Sequence, residues 1–287
     1  MRASSKEEPQ TSVPVQVIGL SGYSADRTRL GHDNMPHLLG ALRNSGLIAD
    51  LHKLDCLPSD SHWDVALKKS RPVLEAAQAL LRQRLANARP FLFVTPRCAT
   101  SLATLPAVAD VHPDALFLWI DAHGDLNTPE TSRSGYLGGM PLSAAIGAWD
   151  SGYGGNVDGS NVIHIGARAL GKGEATVAAS HGVDVRQVPL TIIDLKYVLK
   201  RCRGRKVYIH LDTDVFDRAD IEAEYDEPNG VSLEFATELL SGIIANGQLI
   251  GLEIAEVSPS TEDSRARSHK NLLRILSPMV ELMQSSI

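Results

Sequence analysis

Cysteine is scarce in this chain. The three thiols in 287 residues, Cys56, Cys98 and Cys202, are too few and too scattered for a disulfide framework, which fits a reducing compartment. Aromatic residues make up only 5%. No basic block interleaves with them, and the net charge is −6, so nucleic acid is excluded as the expected partner. No apolar run approaches the roughly 18 residues of a membrane span. The stretch MRASSKEEPQTS is polar and carries acids, unlike a signal peptide or a typical transit peptide. Residues 1–12 are therefore read as a disordered tail. These absences leave a soluble, cytoplasmic protein with no membrane contact, and a 43% hydrophobic composition is ample for a large core.

Short apolar runs are what the chain has in quantity. Residues 13–20, 48–54, 90–95, 115–120, 162–166, 183–187, 206–211 and 249–254 each read as a strand. Helical segments alternate with them. Residues 36–45 follow the first turn region, and 64–88 carry Leu67, Val73, Leu74, Ala77, Leu80 and Leu81 on one side. A helix runs on from PRCATS to about Val111, and the last spans 264–283. The alternation predicts an α/β fold, a parallel sheet with helices on both faces. No repeat or linker divides the chain, so residues 13–287 are read as one domain.

Two of these runs end in the same way. The run 115–120 leads into DAHGD, with Asp121, His123 and Asp125 at alternate positions; the run 206–211 leads into Asp212 and Asp214. Either motif alone leaves open a blander alternative, a capped strand end with solvated acids. Together they point to one polynuclear metal site at the carboxyl edge of the sheet, where open α/β folds bind ligands. The three donors of DAHGD converge only if the strand ends there and the loop curls, which Gly124 makes easy. A carboxylate-rich set with few histidines suits Mn²⁺ or another hard to borderline ion. Two such ions ~3.5–4 Å apart can share a water, lower its pKa and present hydroxide at neutral pH. The loop 121–139, long for a compact domain, is a functional candidate.

DAHGD, the following LNTPETSRSG, then HLDTDVFD and LEIAEVSP resemble the arginase (ureohydrolase) family from about Phe91 onward. The resemblance implies a three-layer α/β fold around a mostly parallel eight-stranded sheet, two Mn²⁺ ions, C–N hydrolysis of a small guanidino-type substrate, and a homo-oligomer, trimer or hexamer. By matching position, Asp121 and Asp212 would bridge the metals, Asp125 would bind the first and hold the hydroxide, and His123 and Asp214 would bind the second. Glu256 would pair with the guanidinium-like end of the substrate, and Asn127 and Ser134 would hold its carboxylate.

Three departures from the family pattern bear on the substrate. Cys98, in PRCATSLAT, occupies the position of the first histidine ligand, and a thiolate there is softer than imidazole and suits Mn²⁺ less well. Gly138 stands where arginases carry a proton-shuttling histidine. In ARALGKGE, Arg168 and Glu174 are kept but Gly171 replaces the aspartate that recognises the α-amino group. The cysteine, with SLATLP, NTPET, GYLGGM and WDSG, is similar to a branch of the family that hydrolyses Nω-hydroxy-L-arginine to hydroxyurea and ornithine. A hydroxyguanidine is less basic than a guanidine, because the hydroxyl oxygen withdraws electrons. The alternatives are an ordinary arginase or agmatinase-type ureohydrolase, and an inactive member that only binds a ligand. His164 and His210 read as packed within strands, Cys202 in KRCRGRK as a solvated helix end, and Cys56 as structural or exposed. Trp149 and Tyr153 read equally as pocket lining or core cover.

Overall fold

The computed structural model describes residues 16–285; the expected tail at 1–12 lies outside them. Eight strands form one sheet: β1 (Val17–Ser21), β2 (Ala49–Lys53), β3 (Phe91–Val94), β4 (Leu116–Ile120), β5 (Val162–Ala167), β6 (Asp184–Gln187), β7 (Lys206–Asp212) and β8 (Gln248–Ala255). Their spatial order is β2-β1-β3-β8-β7-β4-β5-β6. Every pairing is parallel. The helices are α1 (Leu30–Asn44), α2 (Trp63–Leu85), α3 (Ser101–Val111), α4 (Pro141–Ala145), α5 (Lys172–His181), α6 (Ile192–Cys202), α7 (Leu233–Asn246) and α8 (Glu262–Ser285). All eight strand runs read from the sequence coincide with strands over the described residues; 13–15 of the first run lie outside them.

Strand alternation divides the core into two layers. Leu116, Leu118 and Ile120 point into a cluster with α1, α6, α7 and α8, while Phe117 and Trp119 point into one with α2, α3 and α4. The helices meet the sheet through stripes at helical spacing. On α1 these are Met35, Leu38, Leu39 and Leu42, and on α2 Val73, Leu74, Ala77 and Leu81, all buried. Burying each of the larger side chains stabilises the fold by ~1.5–3 kcal/mol.

Two local readings of the sequence need correction. Pro36 lies inside α1 rather than at its start. The earlier turn is kept because Gly31, His32, Asn34 and Met35 are buried and Asn34 Nδ2 donates to the Leu30 carbonyl at 2.8 Å. Cys202 is not solvated: it is fully buried, third on the core-facing stripe Leu195, Val198, Cys202 of α6. The two basic neighbours that suggested solvation sit on the other side of the same turn.

The strand order carries the functional consequence. β8 and β7 lie between β3 and β4, so the carboxyl ends of four adjacent central strands open onto one crevice. Ile120 is paired with Leu211, and Asp212 with Ala255. Asp121, Asp212 and Glu256 thus leave neighbouring strands at the same edge.

Candidate metal centre

The donors expected from DAHGD and HLDTD converge. β4 ends at Ile120, and Asp121, His123 and Asp125 lie in the loop beyond it. The curl is made by Asp125 itself, at φ 50°, and not by Gly124. Gly124 serves a different need: a Cβ there would stand 2.6 Å from Glu174 Oε1. Glu256 is also left-handed, at φ 63°. Strained backbone at two site residues is the kind that surrounding structure must enforce. The loop is tied back on itself by Asn127 N to the Gly139 carbonyl at 3.0 Å and Leu142 N to the Asp125 carbonyl at 3.1 Å. Trp149 Nε1 fastens it from behind through Ser143 Oγ at 2.9 Å.

Donor atoms gather in overlapping sets, each within 4.8 Å: Asp121, His123 and Asp214; Cys98, Asp212 and Glu256; Cys98, Asp121 and His210. Asp121 belongs to two sets, one on each side of the site. His123 Nδ1 is 2.9 Å from Asp214 Oδ2, and Cys98 Sγ donates to Asp212 Oδ2 at 2.8 Å. Asp125 Oδ2 is buried with no hydrogen-bond partner. An unpaired buried carboxylate oxygen is costly unless a cation answers it.

The electrostatics describe the same need. Burial and the charge of Asp121 push Asp125 well above the usual carboxylate range, and burial and Asp214 do so for Asp212. Burial and Asp121 raise Asp214 to about 6, against the His123 hydrogen bond. Burial also pushes Asp121 up, but the hydrogen bond and charge of His123 overcome it and hold this carboxyl at about 2. Burial pulls His123 down, and its bonds to Asp121 and Asp214 more than reverse that, so the ring stays protonated. The Cys98 thiol is raised by burial and by Asp212. Three crowded carboxyls, a thiol and an imidazole drawn toward their protonated forms, around an Asp121 that His123 keeps ionised, fit two divalent ions, which would displace those protons.

Behind these donors stands a layer that sequence reading missed. His210 packs as expected, stacked on Trp119 with ring centroids 3.7 Å apart, but its Nε2 also lies 3.3 Å from Cys98 Sγ. Ser101 Oγ lies 3.0 Å from its other ring nitrogen. His164 Nε2 donates to the His123 carbonyl at 2.6 Å. Arg97 is fully buried among three carboxylates: Nε donates to Asp26 at 3.0 Å, Nη1 to Glu256 at 2.5 Å and Nη2 to Glu224 at 2.5 Å. Its signal was available, a charged residue at the end of an apolar strand beside Cys98. The group Asp26, His32 and Cys56 lies behind Arg97. There His32 Nε2 faces Asp26 at 3.1 Å and Cys56 at 2.8 Å, and Arg97 already supplies the positive charge. Cys56 is buried, as its structural reading anticipated.

A cavity of about 290 Å³ opens over the centre. Cys98, His123, Asp125, Asp212, Asp214 and Glu256 line it, together with Asn127, Ser134, Tyr136 and Tyr225. Asn127 and Ser134 are therefore in the same cavity as the donor set. Glu256 lines it too, with one oxygen held by Arg97 and the other accepting from Cys98 N at 3.3 Å. Burial raises Glu256 to about 7 in spite of Arg97. Gly171 does not line the cavity; it opens α5, where Glu174 Oε2 accepts its N–H at 2.8 Å. Arg168 donates to the backbone carbonyls of Gly166, Val215, Asp214 and Glu227. Trp149 and Tyr153 pack against the core and do not line the cavity. A larger groove, about 720 Å³, lies between α6 and α7 and gathers none of these side chains.

Comparison with known proteins agrees with this geometry. The model of the arginase family matches residues 28–280. An Nω-hydroxy-L-arginine amidinohydrolase of Streptomyces lavendulae is 38% identical over 208 residues, covering 72% of this chain and 75% of that protein. An arginase of Bacillus caldovelox is 27% identical over 282 residues, 87% and 92% of the two chains. The crystal structure of an arginase from Bacillus subtilis superimposes with a TM-score of 0.75 at 23% identity, covering 92% of this chain and 98% of that one.

Proposed function

The chain belongs to the arginase family, and from that premise we propose that it hydrolyses a hydroxyguanidino substrate, Nω-hydroxy-L-arginine, to hydroxyurea and ornithine. Water adds to the guanidino carbon, and the bond from that carbon to the ornithine nitrogen breaks. The observation that carries the choice of substrate is the Arg97 guanidinium on Glu256. An ordinary guanidinium holds its proton above pH 12 and seeks an unpaired carboxylate. Here the carboxylate at the cavity floor is already paired. A hydroxyguanidine, whose oxygen withdraws electrons from the guanidine, loses less by meeting a paired acid. The relative from Streptomyces lavendulae, by its name, acts on the same compound.

Cys98, Asp121, Asp125 and Asp212 would hold one divalent ion, and His123 and Asp214, with Asp121 and Asp212 shared, the other. When bound, the ions supply Lewis acidity that lowers the pKa of water and polarises the substrate. The chain's own residues do the rest. Trp119 Nε1, donating to Asp121 Oδ2 at 3.0 Å, and the His164 bond to the His123 carbonyl fix the orientation of these donors. Asn127 and Ser134 take the amino-acid end of the substrate. Asp125, whose Oδ2 is buried with no hydrogen-bond partner, is the carboxylate that would accept a proton from the attacking water. Gly138 supplies no shuttle side chain, so the proton that the departing ornithine amine needs would come back from Asp125. Mn²⁺ is the assigned metal, held less firmly on the Cys98 side. The reading extends to a cytoplasmic homo-oligomer built from one domain per chain, residues 13–287. Among the described residues no helix is long and apolar enough to cross a membrane.

The test is a parallel assay of Mn²⁺-loaded protein on Nω-hydroxy-L-arginine and L-arginine, following hydroxyurea, urea and ornithine. Equal turnover of the two would overturn the substrate assignment. Turnover of neither by metal-loaded protein would overturn the hydrolytic reading of this site.

A further inference from the structure

Among the described residues that line the cavity over the metal centre, Arg27 is the one lysine or arginine. Its neighbours in the chain are pinned. Asp26 accepts from Arg97 Nε at 3.0 Å and from Ser24 N at 2.7 Å, and Thr28 Oγ1 donates to Glu224 Oε2 at 2.7 Å. The Arg27 side chain is held as well: its Nε lies 2.8 Å from Asp60 Oδ1, and its guanidinium carbon 4.6 Å from the centroid of the Tyr136 ring. It is still 31% exposed, and Asp60, at 79%, is a partner that solvent screens. Asp125, Asp212 and Asp214 are buried, Asn127 is half-buried and Ser134 exposed. The cavity therefore runs from buried acids to a fixed guanidinium that a ligand can reach. The acids that line it are all engaged. Asp125, Asp212 and Asp214 belong to the donor set, and Glu256 is held by Arg97 and Cys98 N. Glu174 Oε1 accepts from Leu126 N at 3.3 Å, and its Oε2 from Gly171 N at 2.8 Å. A ligand's carboxylate thus finds a guanidinium here, whose planar fork suits it. A second ammonium on the ligand finds every lining acid committed.

We propose that Arg27 reads the carboxylate of the substrate's tail and that the α-amino group goes unread, so that the site takes guanidino-type acids as a class, with or without an α-amine. The inference rests on the hydrolytic reading above and deepens it at the end of the substrate away from the metals. Asn127 and Ser134 supply neutral contacts to that end; Arg27 supplies its counter-charge. No bond is made or broken at Arg27.

Calorimetry of product tails on Mn²⁺-loaded protein tests this without turnover. The ligands are L-ornithine, 5-aminopentanoate, which lacks the α-amine, and 1,4-diaminobutane, which lacks the carboxylate. The aminopentanoate should bind within about threefold of ornithine, and the diamine ~10–100-fold more weakly, the worth of one charged hydrogen-bonded contact. Arg27→Gln should weaken the two carboxylates by that same factor of ~10–100 and leave the diamine within about threefold. Arg27→Lys, which keeps the charge, should recover part of the loss. Equal weakening of all three ligands marks a merely structural role and overturns the assignment. So does an aminopentanoate as weak as the diamine in the unaltered chain, a comparison that decides even if Arg27→Gln does not fold. Failure of both carboxylates to bind overturns it as well. The two-substrate assay reports separately: preference for arginine would overturn the choice of a hydroxyguanidine and leave Arg27 in its role.

Discussion

Arg97→Met isolates the ion network behind the site. The substitution keeps most of the apolar stem and removes the guanidinium that bridges Asp26, Glu224 and Glu256. Breaking a buried pair costs ~3–5 kcal/mol because it strands the partner charge. Three carboxylates are stranded here, so the top of that range, ~5 kcal/mol, is expected. At ~2–4 °C per kcal/mol, the midpoint of thermal unfolding should drop by ~10–20 °C. The loss should shrink toward pH 5, where Glu256, already at about 7 in the folded chain, is neutral. Selectivity should move as well. Two unit charges ~4 Å apart interact by ~4 kcal/mol at an effective dielectric constant of 20. If a third of that reaches the substrate, arginine gains ~10-fold in kcat/KM over hydroxyarginine, since 1.4 kcal/mol is a factor of about 10. The assay is thermal unfolding at two pH values plus the two-substrate ratio, with Glu256→Gln and the double variant completing a cycle. A midpoint shift under ~3 °C, or an unchanged ratio, would refute the idea that Arg97 holds these acids and sets the charge of the cavity floor.

Further outcomes rest on the donor set. Asp214 at about 6 and Glu256 at about 7 lie above their free values in the folded chain. The folded state therefore binds more protons than the unfolded one between about pH 4 and 7, and the stability of the metal-free protein falls as pH rises through that window. His123, raised in the folded chain, acts in the same direction above about pH 6.5, where the unfolded imidazole releases its proton. Unfolding in chelator should show a falling midpoint, and added Mn²⁺ should restore more at pH 7.5 than at pH 5; a flat profile with no metal response contradicts the site. Cys98→Ser exchanges a thiol for a poorer ligand of nearly the same shape. Elemental analysis after dialysis should find retained metal falling from about two ions per chain toward one, and unchanged occupancy would remove Cys98 from the ligand set.

Much of this architecture is legible in the residues. Runs such as 115–120 and 206–211 read as buried strands, and the motifs at their ends, DAHGD and DTD, mark the carboxyl edge. The matching ends of β4 and β7 bring Asp121 and Asp212 together as the spacing implies. Relations between distant segments are not legible. Arg97 reaches Asp26, Glu224 and Glu256 from three other parts of the chain, and no local pattern encodes that meeting. His210 reads correctly as packed, but its contact with Cys98 depends on β3 and β7 flanking β8, an order no single strand reveals. Cys202 misleads because neighbouring charges suggest solvent while the α6 stripe places it inside. The sharp local rule, glycine for a curl, fails at Gly124 because Asp125 itself adopts the left-handed backbone.

The central claim is that this centre hydrolyses a hydroxylated guanidine in preference to a plain one. Its most direct measurement is a competition: Nω-hydroxy-L-arginine and L-arginine at equal concentration in one vessel with Mn²⁺-loaded protein. The initial ratio of hydroxyurea to urea gives the ratio of the two kcat/KM values. Hydroxyurea should exceed urea by at least ~10-fold, the discrimination that a single hydrogen-bonded hydroxyl readily supplies. Urea in equal or greater amount would contradict that preference and return the protein to the ordinary arginases.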